Sequence, residues 1–311
     1  MKSEFMKYAY FDNKIVEFEK ATVSIATHSL QYGTTCFGGI RGYYRNGKVS
    51  VFRLKDHYTR LMNASKMLGF EFYISWEKFR EIVAELIEKN DIKEDFYMRP
   101  FVFCSQPRIS PKKAGLNFEL AIYIMPMADY ISTDNGGIRF MSSTYRKYSD
   151  AAIPTKAKAG GSYINSFLAT SDAQRNGYDE ALMFDHSGNV VEASVANIIL
   201  IYRDRIIVPD TGSDALEGIT VRSMLELLEY NGYEVNREKI DRSMVLCANE
   251  LLVTGTAMKI VYAESLDGRP IGTLDYSAKG ESGKFYKLLK TEFEKVISGE
   301  HEFYKKWMEQ F

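Results

Sequence analysis

The sequence predicts an α+β protein of two domains, and three observations predict it. Strand-like runs alternate with amphipathic helices, and several of the strands pair as hairpins. A length of 311 residues is enough for two moderate cores. A polar, turn-rich stretch, ADYISTDNGG, then interrupts the pattern at residues 128–137. The expected division is a small N-terminal domain over 1–127, a linker over 128–137 and a larger domain over 138–311.

The elements follow in order. Tyr8 to Phe18 predicts a hairpin turning at Asp12-Asn13, and RGYYRNGKVSVFR a second turning at Asn46-Gly47, a dipeptide that accepts the left-handed backbone such turns need. Asp56 is expected to cap a helix running through Leu68. Ser75 opens another, with Phe79, Ile82, Val83 and Leu86 on one face at helical spacing. FYMRPFVF and FELAIYIMP are strands. Beyond the linker come a strand (IRFMSS), a helix from about Ser162, and a hairpin, EALMFDHSGNVVEASVANIILIY, turning at Ser187-Gly188. A helix after Gly218 carries Val221, Met224, Leu225 and Leu228 at i, i+3, i+4 and i+7. The strand ELLVTG and a helix from about Gly283 complete the layout.

Composition excludes several function classes. With 40 basic and 41 acidic residues the formal net charge is -1, which gives nucleic acid or an anionic membrane no electrostatic hold. Cys36, Cys104 and Cys247 are odd in number and far apart, so a disulfide framework is not expected and a reducing compartment fits. His28, His57, His186 and His301 show no metal-ligand spacing, so no metal is expected. The N-terminal residues include acids where a leader needs an apolar core, and no apolar run approaches the roughly 20 residues of a membrane span. A cytoplasmic location is expected.

Four groups can carry chemistry. In TKAKAGGSYINS, Lys156 and Lys158 fall on the same side if the segment is extended, so parity does not separate them. Each is either a solvated charge or a lysine whose amine forms a Schiff base, and the Gly-Gly step would let a cofactor lie against backbone. Glu192, on a strand between Val191 and Ala193, is either solvent-facing or a carboxylate opposite a cofactor's ring nitrogen. Gly218-Ile219-Thr220 at a helix start and Gly255-Thr256-Ala257 after a strand are each either an ordinary cap or an anion cradle built from backbone N–H groups and a hydroxyl. Arg41, Arg60 and Arg99 lie in aromatic-rich elements, and Arg99 interrupts an apolar strand, where a guanidinium needs an anion.

Together these segments resemble the branched-chain amino acid aminotransferases, of the fold type IV pyridoxal-phosphate-dependent enzymes. The resemblance covers nearly the whole chain through YGTTCFGGIRGYY, DHYTRL, YMRP, IPTKAKAGGSY, GYDEALMFDHSGNVVEASVANI, EGIT and VTGTA. It implies a two-domain architecture with the active site at the domain interface, and pyridoxal 5′-phosphate as cofactor. It also makes Lys158, in A-K-A-G-G, the Schiff-base lysine and Lys156 a bystander to the chemistry. By the same resemblance Glu192 faces the pyridine nitrogen, and Arg60, Ile219, Thr220 and Thr256 hold the phosphate. Tyr163 lies beside the ring oxygen. Tyr97 and the Thr256-Ala257 backbone match the α-carboxylate site, Phe37, Gly39, Tyr130 and Tyr163 the apolar pocket, and Arg99 the receiver of glutamate's distal carboxylate. Arg41 matches a pocket-wall arginine. Tyr32 matches a tyrosine that reaches into a neighbouring subunit, which implies a homodimer.

The implied reaction moves an amino group from leucine, isoleucine or valine to 2-oxoglutarate, giving 2-oxo acids and L-glutamate. Four departures bear on the side chains accepted. The family's F-E-G-I-R is Phe37-Gly38-Gly39-Ile40-Arg41 here, and its glycine-rich run ending Gly-Glu-Asn is Ala193-Ser194-Val195-Ala196-Asn197. Met127 replaces a frequent tryptophan, and the loop CSQPRISPKKAG carries Arg108 and two prolines. A D-amino-acid or (R)-amine transaminase, or an aminodeoxychorismate lyase, is the alternative on the same fold. Tyr97-Met98-Arg99-Pro100 favours the first reading.

Overall fold

A computed structural model of the chain describes residues 5–127, 136–275 and 277–311. Tyr130 and most of the expected linker lie outside the described residues. The chain forms two compact units. The first comprises Met1–Ala128, Ala157–Ser162 and Ile297–Phe311; the second comprises Asp129–Lys156 and Tyr163–Val296. A linear boundary near 128–137 therefore does not capture two returns of the chain to the first unit, at the lysine segment and at the tail.

The first unit opens with β1 (Tyr8–Phe11) and β2 (Lys14–Glu17), joined where Asp12 and Asn13 both take positive φ, 52° and 58°. Left-handed backbone at both turn positions matches the twist of the flanking strands. After α1 (His28–Tyr32) come β3 (Thr35–Phe37), β4 (Ile40–Arg45) and β5 (Lys48–Phe52), the last two joined through Asn46-Gly47 as expected. Helix α2 runs Leu54–Met67 and α3 runs Trp76–Lys89. Ser75 caps α3, accepting from the Lys78 N–H at 3.2 Å. Asp56 does not cap α2. The helix starts three residues earlier, with Arg53 at the cap position, and Asp56 in the first turn accepts from the Arg53 guanidinium at 3.1 Å. A carboxylate there also suits the positive end of the helix dipole. Strands β6 (Phe96–Phe103) and β7 (Glu119–Pro126) pair along their whole length and form the centre of the sheet. Phe79, Ile82, Val83 and Leu86 of α3 are all buried in this unit's core, as the periodicity requires.

The second unit holds β8 (Ile138–Arg146), α4 (Tyr163–Arg175), β9 (Glu180–Phe184), β10 (Val190–Ala193), β11 (Asn197–Tyr202) and β12 (Arg205–Pro209). Next are α5 (Ile219–Tyr230), β13 (Val235–Glu238), α6 (Arg242–Leu246), β14 (Glu250–Gly255), β15 (Lys259–Leu266), β16 (Arg269–Pro270) and α7 (Lys284–Ser298). The sheet order is β10-β9-β8-β15-β14-β11-β12-β13, with β16 on β15. It mixes parallel pairs (β8 with β9 and β15, β12 with β13) and antiparallel ones. Every residue of β9 and β10 is buried, so their apolar runs are those of strands covered on both faces rather than alternating ones. Glu250 accepts from the first-turn N–H groups of Phe285 and Tyr286, both at 2.9 Å, and so seats α7.

The tail returns as α8 (Tyr304–Trp307) and β17 (Met308–Gln310), which pairs antiparallel with β5. The first sheet thus has the order β17-β5-β4-β6-β7-β1-β2, with β3 on β6, and all its pairs are antiparallel. No helix among the described residues is long and apolar enough to cross a membrane.

Candidate active site

The lysine segment is not extended, which overturns the premise of the parity argument. It consists of two 3-10 turns, Thr155–Ala157 and Gly160–Ser162, with Lys158 between them at φ 45°. A lysine in the left-handed region is uncommon and costs energy that the surroundings must supply. The Phe37 N–H donates to the Lys158 carbonyl at 3.3 Å, Ala159 bridges to Cys36, and the Ser162 hydroxyl donates to the Ala159 carbonyl at 2.8 Å. The Lys158 ammonium stands over the Phe37 ring, 5.1 Å from its centre.

The Gly-Gly step also answers a demand of the fold itself. A Cβ on Gly160 would overlap Thr35, and one on Gly33 would come within 2.6 Å of the Gly161 Cα. The two glycines let this loop approach the protein's own backbone, and that approach seats the lysine.

The strand residues of the first unit converge beside it. The Arg99 guanidinium donates to the Tyr97 hydroxyl at 2.9 Å and stacks on Phe37, 4.5 Å from the ring centre. Its Nε is buried without a hydrogen-bond partner among the described residues. A cation so placed is suited to receive an anion. Gly39 is required here, since a Cβ would overlap the Tyr97 hydroxyl. Arg41 is buried on β4 with its guanidinium over the Tyr43 ring at 5.7 Å. Arg60 is half-buried on α2, and Tyr32 is exposed at the end of α1.

In the second unit Glu192 is buried with the rest of β10, a strand covered on both faces whose register also shifts between Val190 and Glu192 opposite β9. Its Oε1 meets the Lys147 ammonium at 2.6 Å, with both side chains only 6% exposed. Its Oε2 accepts from Asn197 Nδ2 and from the Leu216 N–H, each at 3.1 Å. A carboxylate offers about four lone-pair directions. Three are used, which leaves one on Oε1. Burial alone pushes the Lys147 ammonium down, but Glu192 and Tyr148 beside it outweigh this and raise it above the ordinary lysine value.

Ile219 and Thr220 are buried in the first turn of α5, which contains no acidic residue. The unpaired N–H groups of that turn therefore keep their positive potential. Gly218 is obligatory, since a Cβ would overlap Asn197 Oδ1. Thr256 and Ala257 are half-buried in the turn joining β14 and β15, and Tyr163 is half-buried as the first residue of α4. Lys147, Asn197 and Lys156 carry weight that sequence reasoning missed. Asn197 had a signal, standing in the family's Gly-Glu-Asn position; Lys147, in YRKY, had none.

Comparison with known proteins follows the same lines. The family described as amino-transferase class IV matches residues 35–266. The chain is 36% identical to a probable branched-chain-amino-acid aminotransferase of Aquifex aeolicus over 99% of this chain and 98% of that one. It resembles the crystal structure of the branched-chain aminotransferase from Thermoproteus uzoniensis with norvaline, with a TM-score of 0.91, 31% identity and 98% and 99% of the two chains covered. A third likeness is to the holo, PLP form of the branched-chain amino acid aminotransferase from Thermobaculum terrenum, with a TM-score of 0.90, 27% identity and 99% of each chain covered. With a family match across most of the chain and full-length identity above 30%, this protein belongs to the class IV aminotransferases.

Proposed function

We propose that the protein transfers the amino group of leucine, isoleucine or valine to 2-oxoglutarate with pyridoxal 5′-phosphate, releasing branched-chain 2-oxo acids and L-glutamate. The observation that carries this reading is Glu192, a buried carboxylate locked by three donors with one acceptor direction left. That is the arrangement a protonated pyridine nitrogen needs.

The residues present fit the cofactor. The acid-free first turn of α5, with the Thr220 hydroxyl, is suited to a phosphate, and the missing side chain at Gly218 leaves room for the Asn197 amide. Arg60 and Thr256 are proposed as further phosphate contacts, and Tyr163 as the partner of the ring oxygen. When bound, the cofactor supplies an electron sink for the pair left at the α-carbon. Lys158 would hold the cofactor through its Nζ, and the same amine, when free, would be the positioned general base for the α-proton. Glu192 would hold a proton on the ring nitrogen. Tyr97 and the Thr256-Ala257 N–H groups orient the α-carboxylate, and Phe37 and Gly39 bound the apolar side chain. Arg99 takes the distal carboxylate of glutamate, and Arg41 forms part of the wall.

A homodimer and a cytoplasmic location belong to the same proposal. Ser166, Ala169 and Ala173 turn one face of α4 inward, while Ile164 and Phe167 are 60% and 63% exposed and Tyr32 is 40% exposed. Such apolar exposure supports a second copy as the covering partner. Three unpaired thiols support a reducing compartment.

The test is a single-turnover spectrum of the protein purified with pyridoxal phosphate. L-Leucine, L-glutamate, D-alanine and (R)-1-phenylethylamine are added separately. Conversion of the visible band by both L-leucine and L-glutamate is expected. Conversion only by the D-amino acid or the amine would overturn the substrate assignment and keep the lysine.

A further inference from the structure

Lys156 is half-buried beside the 213–216 turn. Its ammonium donates to the Ser213 carbonyl at 2.8 Å and to the Ala215 carbonyl at 2.6 Å. The Ala215 carbonyl and the Leu216 N–H belong to one planar peptide unit, so fixing the oxygen fixes the direction of the N–H. That N–H donates to Glu192 Oε2. The Leu216 carbonyl in turn accepts from Asn197 Nδ2 at 2.8 Å, the same nitrogen that donates to Glu192. A second tie holds the turn, from the Asp150 N–H to Asp214 Oδ1 at 3.0 Å. Two residues beyond Leu216 lies Gly218, where α5 begins.

We propose that Lys156 is a positioning residue: by clamping the 213–216 turn it aims the Leu216 N–H at Glu192 and holds the carboxylate in register for the cofactor. An ammonium on the carbonyl end of a peptide also polarises it, which strengthens the N–H at the other end as a donor. Both effects act through backbone, so the residue touches no reacting atom. The inference rests on the reading of Glu192 given above.

The experiment compares wild type with Lys156→Met, which keeps the stem and loses the donors, Lys156→Gln, which keeps a neutral donor, and Lys156→Arg, which restores two charged donors. Amide hydrogen exchange is followed on the full-length apoprotein, and pyridoxal phosphate affinity is measured by absorbance titration. In Lys156→Met, exchange across 213–217 is expected to rise about tenfold and affinity to fall about tenfold, about 1.4 kcal/mol. Lys156→Gln should fall between, and Lys156→Arg should restore both. Unchanged exchange and affinity in Lys156→Met and Lys156→Gln would make Lys156 a solvated charge and overturn the proposal. Faster exchange throughout the second unit, or local loosening with unchanged affinity, would overturn it too. If wild type itself takes up no pyridoxal phosphate, the reading of Glu192 fails, and the exchange data alone decide the clamp.

Discussion

Replacing Lys147 by Met removes a buried ammonium 2.6 Å from a buried carboxylate while keeping most of the side-chain volume. The lost attraction is only part of the cost. Glu192 is left as a charge with two neutral donors and no counter-ion, and breaking one side of a buried pair costs about 3–5 kcal/mol. For a unit of this size that corresponds to a fall in Tm of about 6–20 °C, at about 2–4 °C per kcal/mol. The assay is urea or thermal unfolding of the apoprotein for Lys147→Met, Glu192→Gln and the double variant. The double variant should be more stable than the sum of the two losses predicts, by about 2 kcal/mol or more, because no charge is then stranded. The sign with pH follows from the raised Lys147. Its contribution is fully present below the ordinary lysine value and is lost as pH rises through the folded one, so Lys147→Met should flatten the alkaline limb of stability. Additive losses in the cycle, or a Lys147→Met variant as stable as wild type, would refute the reasoning.

Three further outcomes are expected. Lys158→Ala should abolish turnover and the cofactor's lysine-dependent absorption, and exogenous small amines should restore part of the first; retained turnover would move the reagent elsewhere. Of the three thiols, only the exposed Cys247 should react quickly with a disulfide reagent at pH 8, because burial pushes the Cys36 thiol up to about 11 and Cys104 is buried as well; a burst of two or more thiols would contradict the packing. Asp267 should support stability above the ordinary carboxylate range. Burial pushes its carboxyl up, but the Ser142 N–H and hydroxyl, both at 2.7 Å, and the Arg242 guanidinium outweigh this and lower it. That contribution is lost as pH falls through the lowered value, so Asp267→Asn should cost about 1–3 kcal/mol at neutrality and less in acid.

Local signals were legible wherever one residue type answers one backbone demand. Asp12-Asn13 and Asn46-Gly47 mark turns that need left-handed backbone, and Ser75 marks an N-terminus, so these elements fall where the sequence puts them. The order of family segments singled out Lys158 and Glu192 as candidates, and the structure buries Glu192. What stayed hidden depends on contacts far apart in sequence. Arg53 starts α2 because its N–H and ring-facing side chain meet Trp307, some 250 residues on, and nothing near Asp56 signals that. The bulge before Glu192 arises from its pairing with β9. Lys147 is buried only because Glu192 waits beside it, and Lys156 bonds to carbonyls that no side-chain pattern encodes.

The pairing of β17 with β5 has a consequence for how the protein is made. On a ribosome, β5 emerges early, yet its outer edge stays uncovered until residues 308–310 leave the tunnel. At about 5–20 residues per second that delay is on the order of 12–50 s. Throughout it, a nascent chain presents an open strand edge able to pair with any neighbour. Polysomes crowded with half-finished copies are therefore the setting in which this fold is most exposed to misassembly, and a chaperone that shields strand edges would act there rather than on the finished chain.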